Sequence, residues 1–267
     1  MPDFQRYIGI DYSGAETAES SLKGLRVYQA TPGAPAVEIQ PPPSPRKYWT
    51  RRGIAHWLLE VLAEGPPTLV GIDHGFSFPL RYFEVHHLLP DWPAFLDDFQ
   101  RHWPTDEPHT YVDFVRDGVC GDGAARMGSS KWRRICEERC RAKSVFHFDV
   151  QGSVAKSTHA GIPWLRFLRS RLGERVQFWP FDGWDVVPGR SVIAEVYPSL
   201  WRQAYPTEGK RPAITCGTRL GDGADRVFAV QADAAVEVAV GAAQRCGSSS
   251  CSRLFGQVGS RVSTSLR

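Results

Sequence analysis

Two apolar runs, far apart in the chain, end in the same way. RYIGID (6–11) and TLVGID (68–73) both close on Gly-Ile-Asp, with a glycine soon after at Gly14 and Gly75. Each run is too short for a helix and is bounded by turn chemistry, which predicts a buried strand stopping at a polar turn. Between them, LRVYQA (25–30) and AVEIQ (36–40) are β-rich and joined by TPGAP, so a hairpin is expected. PPPSP (41–45) is a stiff connector. Thr50 is placed to cap a helix in which Ile54, Trp57, Leu58, Val61 and Leu62 recur at helical spacing, and Gly65-Pro66-Pro67 stops it. Strand, hairpin, helix and strand follow one another with short connections, which is dense α/β organisation.

Further along, RYFEVHHLL and DWPAFLDDFQRHW are helix candidates. DGVCGDGAARMGSS is a glycine-rich loop, and KWRRICEERCRAK (131–143) reads as a charged helix. SVFHFDV (144–150) reads as a strand or extended piece, and GIPWLRFLRSRL as a helix starting near Pro163. VQFWPF (176–181) and SVIAEVY (191–197) are two more strands, with GWDVVPGR as the turn between them. The whole chain has 267 residues, and 42% hydrophobic and 23% charged residues are ordinary globular composition. No run approaches about 18 apolar residues, so no membrane partner is expected. The start, MPDFQRYIGIDYSG, has no apolar leader, and a cytoplasmic location is expected. A net charge of +3 permits a nucleic-acid partner without requiring one. Cys136 and Cys140 share a helix face, yet no histidine or further cysteine stands at zinc-finger spacing, so reduced thiols are expected.

Asp11, Asp73 and Glu195 each end, or nearly end, a strand-like run. Acids commonly cap loops after strands. In an α/β sheet, however, functional groups gather at the carboxyl ends of strands, and converging carboxylates repel unless protonated or bridged by a cation. Mg²⁺ or Mn²⁺ suits such oxygen ligands and leaves positions open for phosphate.

IGIDYSGA (8–15), VGIDHGFSFP (70–79), KSVFHFDVQGSVAKSTHAGIPWL (143–165) and AEVYPSLW (194–201) resemble the predicted nucleases of domain-of-unknown-function family 429, which belong to the RNase H-like superfamily. The resemblance runs from about residue 6 to 206. It implies an α/β fold with an RNase H-like mixed five-stranded sheet in the order 3-2-1-4-5, helices on both faces, and a large insertion after the fourth strand at about 80–175. One such domain would span 1–244. Asp11 and Asp73 would then end side by side, with Glu195 near them as third metal ligand. A further catalytic acid is expected on a C-terminal helix, where Asp233 is the nearest match and Asp225 the second.

Around these acids, Ser13, His74, Lys143, Lys156, Ser157, Thr158 and His159 are candidates for holding phosphate or substrate. VAKSTHAG lacks the glycine spacing of a P-loop. Packed histidines and helix-capping hydroxyls are the competing explanations for His74, His159 and Ser157. The leading expectation is a metal-dependent phosphodiesterase acting on nucleic acid. The alternatives are a nucleotide-dependent phosphotransferase or ATPase of the same superfamily, and a non-catalytic nucleic-acid-binding module. Beyond Gly209 the only aromatic residues are Phe228 and Phe255, and Lys210 is the last lysine. Residues 245–267 are Ser/Gly/Arg-rich without a period, which predicts a disordered or poorly packed tail. So abrupt a shift suggests a change of reading frame between about residues 209 and 225, testable by translating the gene in its other two frames.

Overall fold

The computed structural model describes residues 4–43 and 46–197. Asp225, Asp233, the 245–267 tail and the proposed frame change all lie outside the described residues. Both Gly-Ile-Asp runs form strands, β1 (Arg6–Asp11) and, after the hairpin, β4 (Thr68–Ile72). The hairpin is β2 (Arg26–Ala30) and β3 (Val37–Ile39), and the two later strands are β5 (Val176–Trp179) and β6 (Ser191–Glu195). They make one sheet in the order β3-β2-β1-β4-β6-β5. It is six-stranded rather than five-stranded. The hairpin side is antiparallel, whereas β1, β4, β6 and β5 run parallel. The stretch between β5 and β6, read as a turn, is therefore a crossover connecting parallel neighbours.

Helix α1 (Arg51–Glu64) begins where its sequence signals, with the Thr50 hydroxyl accepting from the Gly53 amide. Between β4 and the next long helix lie α2 (Leu80–Val85), α3 (Trp92–His102), α4 (Val112–Arg116) and α5 (Ile135–Arg139). The charged segment expected to be one helix thus keeps only five helical residues. Residues 144–150 form turns, not a strand, because Val145, Phe146 and Phe148 are drawn into the core. Helix α6 (Ala155–Leu172) starts eight residues before Pro163, which sits inside it.

An interior proline deprives the carbonyl four residues earlier of its donor. Here that carbonyl belongs to His159, and the fully buried Thr105 hydroxyl donates to it at 2.6 Å. Thr105→Val is expected to leave the carbonyl unpaired in the core at a cost of about 1–3 kcal/mol. Thermal melting checks this, and an unchanged midpoint would show that Pro163 needs no such support.

One face of the sheet, through Ile8, Ile10, Val70, Ile72 and Ile193, shares a core with α1, α3 and α6. The other face carries a smaller cluster of Phe4, Tyr7, Ala30, Trp179 and Val192, edged by Trp184 and Val186 from the β5–β6 crossover. None of the described helices contributes a residue to that second cluster.

Candidate functional site

The register fixes where the strand-end acids stand. Ile10 pairs with Ile72, and the Asp73 amide then donates to the Ile10 carbonyl at 3.0 Å. Asp11 and Asp73 are thus the next residues on two hydrogen-bonded parallel strands, which run about 4.8 Å apart. Strand β6 lies on the other side of β4, with Glu195 level with Ile72. Asp73 therefore stands between the other two. Burial, and then the charges of Asp11 and Glu195, push its carboxyl up to about 7.

Glu195 is one step out of level with Asp73. Alternation along a strand sends it to the helix-covered face, the side of Ile193. There its Oε2 accepts from the Phe76 amide at 2.9 Å and from Arg134 Nη1 at 2.8 Å. Arg134 Nε also donates to Glu137 Oε1 at 3.0 Å, and its backbone amide to Glu137 Oε2 at 2.9 Å. Burial alone would lower the Arg134 pKa. The charges of Glu195 and Glu137, with the hydrogen bond to Glu195, outweigh it and keep the guanidinium charged. Burial pushes Cys136 up to about 11, so it stays a thiol. Among the described residues, no three His, Cys, Asp or Glu side chains are grouped so as to hold a metal ion.

Asp73, Arg134, Cys136, Lys143 and Glu195 line a cavity of about 60 Å³. That is room for a small ion with a few waters, at about 10–15 Å³ each. Lys143 Nζ donates to the Gln151 carbonyl at its edge.

A buried arginine shapes the loop after β1. Arg51, fully enclosed at the start of α1, donates from Nη1 to the carbonyls of Ser13 (3.0 Å) and Ala15 (2.7 Å) and from Nη2 to that of Glu16 (2.7 Å). The Ser13 hydroxyl accepts from the Ala15 amide at 3.4 Å. Gly14 lies against the first turn of α6, where a Cβ would meet the Lys156 carbonyl at 2.0 Å, so only glycine permits this approach.

The α6 candidates serve mostly to hold the fold. Lys156 pairs with Asp113 at 2.6 Å, and the Ser157 hydroxyl donates to the Val154 carbonyl at 3.0 Å. The Thr158 hydroxyl accepts from the Gly75 amide at 2.9 Å, tying α6 to the turn after Asp73. His159 is enclosed by Phe78, Phe99, Trp103, Phe146 and Phe148, and burial lowers its pKa to about 3. This places it in the core rather than on a substrate-facing surface. His74 is buried against Tyr12 and Phe76, donates from Nδ1 to the Gly75 carbonyl, and has its pKa lowered by burial to about 4. Its ring fits only because residue 161 is glycine, since a Cβ there would meet it at 2.4 Å.

Arg134, Glu137 and Arg51 were not among the sequence candidates. The Arg-x-x-Glu spacing of the first two signals a helix start, but nothing in it points to Glu195. No protein-family model, no curated protein and no solved structure matches the chain.

Proposed function

We propose that the chain is a divalent-metal-dependent phosphodiesterase acting on nucleic acid, with an RNase H-like sheet as its core. The observation that carries this reading is Asp73 standing between Asp11 and Glu195 at the carboxyl ends of three adjacent parallel strands, its pKa lifted first by burial and then by both neighbours. Like-charged carboxylates so arranged are relieved by a cation. An antiparallel hairpin beside parallel strands in the order β3-β2-β1-β4 supports this reading for the first four strands, while β6 rather than β5 stands next to β4. A cytoplasmic location belongs to the same reading. No described helix is long and apolar enough to cross a membrane.

Asp11 and Asp73 fit a hard cation by their chemistry and level, and Glu195 would join them on leaving Arg134. A bound Mg²⁺ or Mn²⁺ supplies Lewis-acid stabilisation of a phosphoryl oxygen and a water of lowered pKa. The chain itself contributes placement. The Arg51 clamp and the Gly14 contact hold the loop after Asp11, the Thr158–Gly75 bond holds the turn after Asp73, and Lys143 brings positive charge to the cavity edge. The turns a phosphotransferase would use to cradle nucleotide are both packed against α6, which favours the hydrolase reading.

The test is cleavage of single-stranded and duplex DNA and RNA with Mn²⁺ or Mg²⁺, set beside ATP hydrolysis. Asp11→Asn is expected to lower metal-dependent cleavage at least a hundredfold, several kcal/mol of transition-state stabilisation being lost. Equal turnover in Asp11→Asn at saturating metal would remove Asp11 from the site.

A further inference from the structure

We propose that Arg134 is the resident counter-cation of the carboxylate site, so that a divalent ion and Arg134 compete for Glu195; this rests on the metal-site reading above. Arg134 comes from the segment just ahead of α5, 61 residues from Glu195 in sequence, yet its Nη1 meets Glu195 Oε2 at 2.8 Å in the wall of the cavity that also holds Asp73. Its side chain is only 13% exposed, and Glu137 holds its other edge. A buried arginine so gripped stays charged and keeps its orientation.

The pairing has two consequences for a cation. It neutralises one of the three charges that would attract the ion. It also occupies Glu195 Oε2, the oxygen that accepts from the Phe76 amide as well. On this proposal Glu195 completes a metal site by exchanging Arg134 for the ion, and Arg134 retains Glu137 as partner when it lets go. The second partner makes the exchange feasible, because the guanidinium is never left buried and unpaired. The competition raises the metal concentration at which the third ligand joins the site.

Calorimetric titration of the full chain with Mn²⁺ tests this in a double-mutant cycle of Arg134→Gln and Glu195→Gln. Arg134→Gln is expected to bind Mn²⁺ about tenfold tighter than the wild type. In the Glu195→Gln background the same change is expected to gain no more than about twofold, because the contested ligand is gone. An equal gain in both backgrounds would mean a general field effect and overturns the competition. If Arg134→Gln does not fold by circular dichroism, Arg134→Lys carries the test with an expected gain of about threefold, since an ammonium cannot bridge both glutamates as the planar fork does; unchanged affinity then overturns it. Failure of every variant and of the wild type to bind Mn²⁺ overturns the metal reading together with this one. Wild-type binding that Asp11→Asn abolishes and Arg134→Gln leaves unchanged overturns the Arg134 role alone.

Discussion

Asp73→Asn is expected to make the metal-free protein more stable at pH 8 while abolishing its affinity for Mn²⁺. In the folded chain Asp73 titrates near 7, against 3.8 for an ordinary aspartate, because it is buried beside Asp11 and Glu195. Below about pH 4 both folded and unfolded chains hold the proton, and the substitution is close to neutral. Between about pH 4 and 7 the folded chain keeps a proton that the unfolded one has lost, so wild-type stability falls as pH rises. Above about pH 7 the penalty is complete. At about 1.4 kcal/mol per pKa unit, a rise of about three units amounts to roughly 4 kcal/mol. Asparagine keeps the shape without the charge, so its advantage opens across this window. Melting temperatures of the two proteins from pH 4 to pH 8 measure it, and Mn²⁺ is expected to close the gap by stabilising the wild type alone. A gap of the same size at both ends of the range would contradict the electrostatic origin.

Arg51→Met is expected to cost about 3–5 kcal/mol, the scale of stranding buried polar partners of a charged group. The loss follows from the three carbonyls of the 13–16 loop, which depend on one guanidinium for their hydrogen bonds. For a domain of this size the melting temperature falls by roughly 10 °C. The loop after Asp11 also loses its anchor, so Mn²⁺ affinity is expected to fall in whatever fraction remains folded. Arg51→Lys keeps the charge without the fork and is expected to recover less than half of the loss. A shift within one or two degrees for Arg51→Met would show that the loop is held by other contacts, of which the Gly14 approach to α6 is the foremost.

Some of the architecture is written in short stretches of chain. Strands β1 and β4 announce themselves as apolar runs closed by an acid, the hairpin by its turn residues, and α1 by the Thr50 cap and the Gly65 stop. In each the deciding interactions lie within a few residues of one another, so local spacing carries them. Where distant partners decide, the local signal misleads. Pro163 has the mark of a helix start, yet Thr105 supplies the missing donor and lets α6 run through it. SVFHFDV alternates like a strand, yet the pocket around His159 takes Phe146 and Phe148 and folds the segment into turns.

The candidate site divides along the same line. The repeated Gly-Ile-Asp frame marked Asp11 and Asp73 as a pair, because a short apolar run that ends in an acid puts that acid at the end of a strand. That the two acids stand level is a matter of strand register, which only the paired sheet determines. The same register leaves Glu195 one step off, and the reach of Arg134 across the fold gives it a partner. Neither could be read from spacing, because a hydrogen bond between residues 61 positions apart has no local period. The sequence alone thus determined which acids sit at strand ends. The tertiary structure decided which of them stand on adjacent strands, that burial lifts the Asp73 pKa, and which cation of the chain's own pairs with Glu195.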